Sequence, residues 1–271
     1  MNPIGLASGV VPELSPPETV AAAAAGGFDG VGLWVEPAQW TAETTRAVCD
    51  RVADAGLKVI DVEVIWIKPG PLDPDHLRIL DVGGAVGAAH ALVVSSDPDH
   101  GATAAKFAAL CEHAAPLGIG VALEFGLFTD VKTIHQASSI LQRVLHPAAR
   151  LLVDTLHLDR SDGSATDVAM VPREWLTYAQ LCDASASRPA PDDVQAIIHE
   201  AVYGRLLPGE GALDLDAVLD ALPVGLPLSI ELRSQALYDA WPDGKERAVA
   251  LAQATRSFLA ARTGVRLATA G

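Results

Sequence analysis

At 271 residues and 28.2 kDa, with half its residues hydrophobic, the chain is long enough to bury one large core, and α/β barrels of about this length commonly form a single domain. A formal charge of -15 argues against a surface built for phosphate backbones, which need clustered Lys and Arg, so the expected partner is a small molecule or a protein, with no nucleic acid. Cys49, Cys111 and Cys182 are widely spaced, form no CxxC pair and cannot all pair within one chain, which reads as free thiols in a reducing compartment. The first residues lack a basic region followed by a long apolar segment, and the Ala-rich run at 20–25 is too short to span a bilayer. The expected location is cytoplasmic, with no membrane association.

Residues 4–7 read as a first short strand. Ser15-Pro16-Pro17-Glu18 then opens a helix with a capping Ser and prolines in the first turn, closed by Gly26-Gly27. A second strand at 30–35 precedes a helix at 41–55 that stops at Gly56. The third strand, 58–66, is longer than its neighbours and carries two acids, Asp61 and Glu63, at alternating positions. Asp73-Pro74-Asp75 starts the next helix, a fourth strand follows at 91–96, and a helix near 102–115 is stopped by Pro116-Leu117-Gly118. The fifth strand, 120–124, ends at Glu124, with a helix at 131–145 behind it.

The sixth strand, 150–154, is an apolar run that breaks off at Asp154-x-x-His157. The seventh and eighth, 176–180 and 227–231, end at Gln180 and Glu231. The segment 185–208 is longer than a usual strand-to-helix connection and reads as a lid or an extra helix. A final amphipathic helix is expected over roughly 245–261, with about 263–271 as a loose tail. His76, His113 and His135 fall on helices and are read as solvated.

Eight strands alternating with helices imply parallel pairing, because each strand must cross over through a helix before pairing again. The expected fold is therefore α/β, a single-domain closed (β/α)8 TIM barrel over 1–271, with a doubly wound open sheet as the alternative. The barrel is preferred because the polar residues close strands five to eight, the face where such barrels build their sites. In addition, no Gly-rich phosphate fingerprint follows the first strand.

On a barrel rim Glu124, Asp154, Gln180 and Glu231 would converge, and three carboxylates so close raise one another's pKa values unless a cation sits among them. All-oxygen ligation favours one divalent ion, Mn²⁺ or Mg²⁺, with Co²⁺, Fe²⁺ or Zn²⁺ as alternatives. The bland reading of the acids is a set of rim salt bridges, and that of Gln180 is a side chain satisfying backbone groups.

These residues resemble the xylose isomerase-like TIM barrels, which include ketose 3-epimerases, hydroxypyruvate isomerase and inosose dehydratase. The resemblance rests on Glu124, Asp154-x-x-His157, Gln180-x-x-Asp183, Arg205 before Pro208-Gly209-Glu210-Gly211, and Glu231, in that order. It implies Glu124, Asp154, Gln180 and Glu231 as metal ligands. Gln180 stands where the epimerases usually have His, which is closer to the hydroxypyruvate isomerase and inosose dehydratase branches. Gly126, where xylose isomerase proper has Lys, argues against that aldose chemistry, and the extra His ligands of the endonuclease branch are not evident.

The implied activity is a metal-dependent isomerase or epimerase of a sugar, keto-sugar or polyol. Glu124 and Glu231 would move the proton, and the metal would stabilise the enediolate. A dehydratase acting on an inosose-like or cyclic keto substrate is the nearest rival, and an endonuclease or a non-catalytic barrel is more distant. His157 is either a substrate contact or a hydrogen bond orienting Asp154, and Arg205 is either a substrate contact or a surface partner of Glu210. Glu63 reads as a substrate contact or as the partner of Lys68 or Arg233, and Trp34 and Trp66 as an apolar wall of the pocket or as core. Cys182 reads as a small packed side chain. Family members often dimerise, so a homodimer is compatible with the resemblance.

Overall fold

The computed structural model describes the backbone of residues 2–269 and the side chains of residues 2–262. Eight parallel strands close into a barrel in chain order: β1 (Ile4–Leu6), β2 (Gly30–Trp34), β3 (Lys58–Ile67), β4 (His90–Ser95), β5 (Gly120–Glu124), β6 (Ala149–Asp154), β7 (Ala179–Leu181) and β8 (Leu228–Ile230). Ile4 to Leu6 register against Leu228 to Ile230 and shut the cylinder. The expected (β/α)8 barrel is therefore the fold, and the open sheet is excluded.

The helices start where short polar side chains cap them. Ser15 and Glu18 form a capping box ahead of α1 (Pro16–Ala25), and Thr41 accepts the Thr44 N–H ahead of α2 (Ala42–Ala55). Asp73, Asp99 and Thr133 do the same for α3 (Pro74–Val86), α4 (His100–Ala114) and α5 (Ile134–Val144). The outward faces of the strands pack on these helices in one continuous apolar layer. A second, smaller cluster of Ile60, Leu92, Val94, Ala122, Leu152 and Tyr178 fills the barrel interior. A Cβ at Gly5 would lie 2.1 Å from Ile60 Cδ1, so glycine there is what lets Ile60 fill the interior.

Strand β3 departs from simple alternation. Register shifts against β2 at Val31/Gly32 and against β4 at Val62/Ile65 change which residues face inward. Val59, Val62, Ile65 and Ile67 join the outer layer, while Ile60, Val64 and Trp66 join the interior cluster. Asp61 and Glu63 are also buried, Asp61 against Gly32 and Tyr178 and Glu63 at the barrel mouth.

Several expected boundaries shift. The seventh strand starts three residues later than expected, because a 3₁₀ turn at Arg173–Trp175 occupies the approach to it. After β6 come two short helices, α6 (Thr155–Arg160) and α7 (Ala165–Met170). The long segment at 185–208 holds an extra helix, α8 (Val194–Tyr203). Helices α9 (Leu215–Ala221) and α10 (Gln235–Ala240) flank β8.

The last helix, α11, runs Gly244–Thr269, so the expected tail is helical as far as Thr269, and 270–271 lie outside the described residues. Among the described residues no helix is long and apolar enough to cross a membrane. His76, expected to be solvated, is instead buried, because with Ile79, Leu80, Gly83 and Val86 it forms the inward stripe of α3.

Candidate active site

Asp154 ends β6 and caps α6, and that double duty explains the Asp-x-x-His spacing. Its Oδ1 accepts the backbone N–H groups of Leu156 at 2.7 Å and His157 at 3.1 Å, which sets the imidazole one helical turn beyond the carboxylate. Its Oδ2 accepts from Arg205 Nη1 at 2.6 Å. Each carboxylate oxygen offers two lone pairs, so a free acceptor site remains on Oδ2.

Arg205 is buried, and its Nε donates to the Ala201 carbonyl at 2.9 Å. Its Nη2 donates to His157 Nε2 at 3.4 Å and lies 3.8 Å from Glu231 Oε1. The loop that follows it is pinned by Asp183, whose carboxylate accepts the backbone N–H groups of Ala184, Gly209, Gly211 and Leu213. Asp183 thereby fixes the Pro208-to-Gly211 turn against the barrel and Arg205 with it.

Burial raises the Asp154 carboxyl, but the Arg205 guanidinium and His157 overcome that and hold it below its usual range. His157 is pushed down to about 4, first by burial and further by Arg205, with Asp154 opposing; it is therefore neutral near pH 7 and accepts the Arg205 proton. Phe128 packs on the imidazole at 4.9 Å between ring centroids.

The remaining acids are less well compensated, Glu231 standing 3.8 Å from Arg205 and Glu63, among the described residues, meeting only the Ser8 hydroxyl at hydrogen-bond distance. Ligand atoms of Glu124, Asp154 and His157 all lie within 4.8 Å of one another. Glu124 is held well above the usual carboxylate range, chiefly by burial and then by the negative charges of Glu231 and Asp154. Burial likewise lifts Glu231 to about 7. Glu63, which accepts a hydrogen bond from the Ser8 hydroxyl, is raised to about 7 by burial and then by Asp61. Burial also takes Asp61 to about 7; the Tyr178 hydroxyl approaches it without closing a hydrogen bond of ordinary geometry.

A divalent cation fits this set. Both amide atoms of Gln180 are buried with no hydrogen-bond partner, although Gln180 sits in register with Asp154 on one side and Ser229 on the other. Ligand oxygens of Glu124 and Asp154 lie within 4.8 Å of one another, and Glu231 is near enough for its charge to raise the Glu124 carboxyl. An orphaned amide oxygen beside buried carboxyls that are costly to ionise without added positive charge is the donor set a hard cation takes.

A cleft of about 830 Å³ shares Glu231 and Glu63 with this site, and Arg233, Ser8, Trp34 and Trp40 are among its other walls, whereas Glu124, Asp154, Gln180 and His157 do not line it.

A family model for the xylose isomerase-like TIM barrel matches residues 20–258. The chain belongs to that family. It is 26% identical over 235 residues to a 3-dehydroshikimate dehydratase of Pseudomonas putida, covering 80% of this chain and 36% of the relative, so it spans only about a third of that protein's length. Among solved structures, the IOLI protein with a bound zinc atom superposes with a TM-score of 0.77 at 16% identity, covering 96% of this chain and 97% of the other. A D-allulose 3-epimerase from Methylomonas sp. in complex with D-allulose superposes at 0.67 with 18% identity, covering 96% and 97%. At these identities the two structures share the fold.

Within this family barrel, the residues singled out from the sequence fall into four groups. Glu124, Asp154 and Gln180 lie together in the barrel mouth, and His157 is close enough to Glu124 and Asp154 to be a ligand itself. Arg205 stands between Asp154 and Glu231; it is a buried ion-pair partner of Asp154, and the surface pairing with Glu210 is excluded. Glu231, Glu63 and Trp34 face the cleft, Trp34 half exposed. Trp66 instead packs edge-on against Phe128 in the barrel interior and donates to the Ser96 hydroxyl, so it is part of the interior packing.

Sequence reading missed Ser8, Asp61, Tyr178 and Phe128. Asp61 alone carried a signal, as the first acid of an alternating pair with Glu63. Cys182 is a packed, buried thiol, pushed up to about 12 by burial.

Proposed function

We propose that this barrel is a divalent-metal-dependent enzyme that removes a proton next to the carbonyl of a small polyhydroxy ketone. The observation that carries the reading is the convergence of Glu124, Asp154 and His157 within 4.8 Å beside the unpartnered amide of Gln180. Glu124, Asp154, Gln180 and Glu231 would hold the ion, with His157 within reach. When bound, it would polarise the substrate carbonyl and lower the cost of proton loss beside it.

The protein's own groups divide the remaining work. Glu231, on the cleft wall, takes the proton. Arg205 and neutral His157 present hydrogen-bond donors and positive charge to the oxygen that becomes negative. Glu63, also on the cleft and hydrogen-bonded to Ser8, gives its proton to a departing β-hydroxyl, which leaves as water while the electron pair of the broken C–H bond forms the new double bond. Asp154 keeps Arg205 and the imidazole in place.

This outcome is dehydration, and the sequence similarity to a dehydratase supports it over the isomerase or epimerase outcome that led the sequence reading. The two share the first step and differ in where the proton or hydroxyl goes next. The test is incubation of metal-loaded protein with cyclic and open-chain hydroxy ketones in D₂O, followed by mass spectrometry. Loss of water with the wild type and its abolition by Glu231→Gln support dehydration, whereas deuterium gain without loss of water assigns the chain to isomerisation. No exchange with any substrate rejects the reading.

A further inference from the structure

The cleft carries a cation that nothing above has used. Arg233 lies two residues beyond Glu231 and lines the same cavity. Its guanidinium is near enough to Glu63 and Glu231 to draw their carboxyls down, yet among the described residues it makes no ion pair, and its backbone carbonyl alone is engaged, by the Arg205 N–H. The nearby acids have other partners: Glu63 takes the Ser8 hydroxyl, and Glu231 stands 3.8 Å from Arg205.

The stem of Arg233 is laid across Gly9, where a Cβ would come within 2.9 Å of its Cδ and 3.1 Å of its Cγ. Glycine at position 9 is therefore what lets the side chain lie along the wall with its head in the cleft. Trp34, 49% exposed, contributes an indole to the lining of the same cleft.

We infer that Arg233 anchors a carboxylate on the substrate, so that the ligand is a cyclic polyhydroxy acid whose ring packs on Trp34. This inference rests on the proposed function for its location but makes a separate claim about charge. A planar guanidinium matches a carboxylate with two parallel N–H bonds, which a neutral polyol cannot reproduce. With a net charge of -15, the chain as a whole does not attract anions, so selection for one has to come from a local contact of this kind.

Calorimetric titration of metal-loaded protein with shikimate, a cyclic polyhydroxy carboxylate, and with uncharged myo-inositol tests this without turnover. The wild type should bind shikimate. Arg233→Met, which keeps the stem on Gly9, should weaken that binding about 10- to 100-fold, and Arg233→Lys should weaken it less. Myo-inositol binding should be unchanged in both variants. Gly9→Ala displaces the flexible Arg233 stem and leaves Arg233 itself intact, so it should reproduce the loss and guards against a folding defect in the arginine variants.

Shikimate affinity that is unchanged in Arg233→Met, or no shikimate binding by the wild type, overturns the inference. Shikimate binding that depends on Arg233 in a protein that catalyses no exchange would reject the proposed function and leave the anchor standing. Turnover of neutral ketones with no preference for anionic ones would do the reverse.

Discussion

Arg205 and Arg247 are both at most 2% exposed and both paired, yet they mark opposite kinds of region. Arg247, on α11, donates to the carbonyls of Val10, Trp241 and Pro242 and to Glu13, and it lies over the Tyr238 ring. Its guanidinium ties the last helix to the segment after β1 through Val10 and Glu13. Arg205 is bonded too, but the carboxyls near it, Glu124 and Glu231, are raised, and the Gln180 amide, in register with its partner Asp154, is left unmatched. Burial and pairing alone therefore do not identify a site; the surrounding unmet polar demand does.

The sharpest separation should come from Glu124→Gln. Loss of a carboxylate proposed to hold the ion should cut turnover about 10²- to 10⁴-fold. Thermal unfolding of the metal-free variant should not fall, since burial and neighbouring negative charge disfavour the ionised Glu124 carboxyl, which the neutral amide replaces. Activity assays and melting curves on the same preparation check both halves.

Next in size is the arginine pair itself. Arg205→Met strands the Asp154 charge in the interior and should cost about 3–5 kcal/mol in denaturant unfolding, part of which a second change, Asp154→Asn, should restore. Arg247→Met should also destabilise the fold, but its kcat per folded molecule should stay at the wild-type value. Equal activity losses in the two single variants would dissolve the distinction.

The smallest effect is a slope with pH. Asp61, Glu63 and Glu231 are raised to about 7, so the folded chain holds protons that the unfolded chain has lost. The stability these groups give is full below their ordinary values and drains away as pH rises through about 7. His90 and His157, both pushed down to about 4 by burial, act in the other direction, but only up to the ordinary imidazole value near 6.5. Metal-free protein should therefore lose melting temperature between about pH 6.5 and pH 8, and Glu63→Gln should flatten the slope. A flat wild-type profile would mean that the mouth acids are not held neutral.

The barrel was legible in the sequence because its signals are local. Strands such as 120–124 are short apolar runs between breakers, and helices begin at caps such as Thr41 and Asp73 that need no tertiary context. Glu124, Asp154 and Gln180 were legible for the same reason, each being the polar residue that closes a run.

What depended on long-range packing was hidden. Two register shifts turn both Asp61 and Ile60 inward, which no alternation rule gives. The same rule makes Trp34 and Trp66 look alike, though the first faces the cleft and the second packs on Phe128. His76 shows that an α-helical His is judged by its stripe, and Arg233 was read only as a partner for Glu63 because its free guanidinium appears only once the strands are closed.

The central claim is that the barrel mouth holds a single divalent ion on Glu124 and its neighbours. Titration of Mn²⁺ into chelator-dialysed protein, with free Mn²⁺ read by electron paramagnetic resonance, addresses it directly. The account predicts one saturable site in the wild type and its loss in Glu124→Gln; no saturable binding in the wild type, or undiminished binding in the variant, would contradict it.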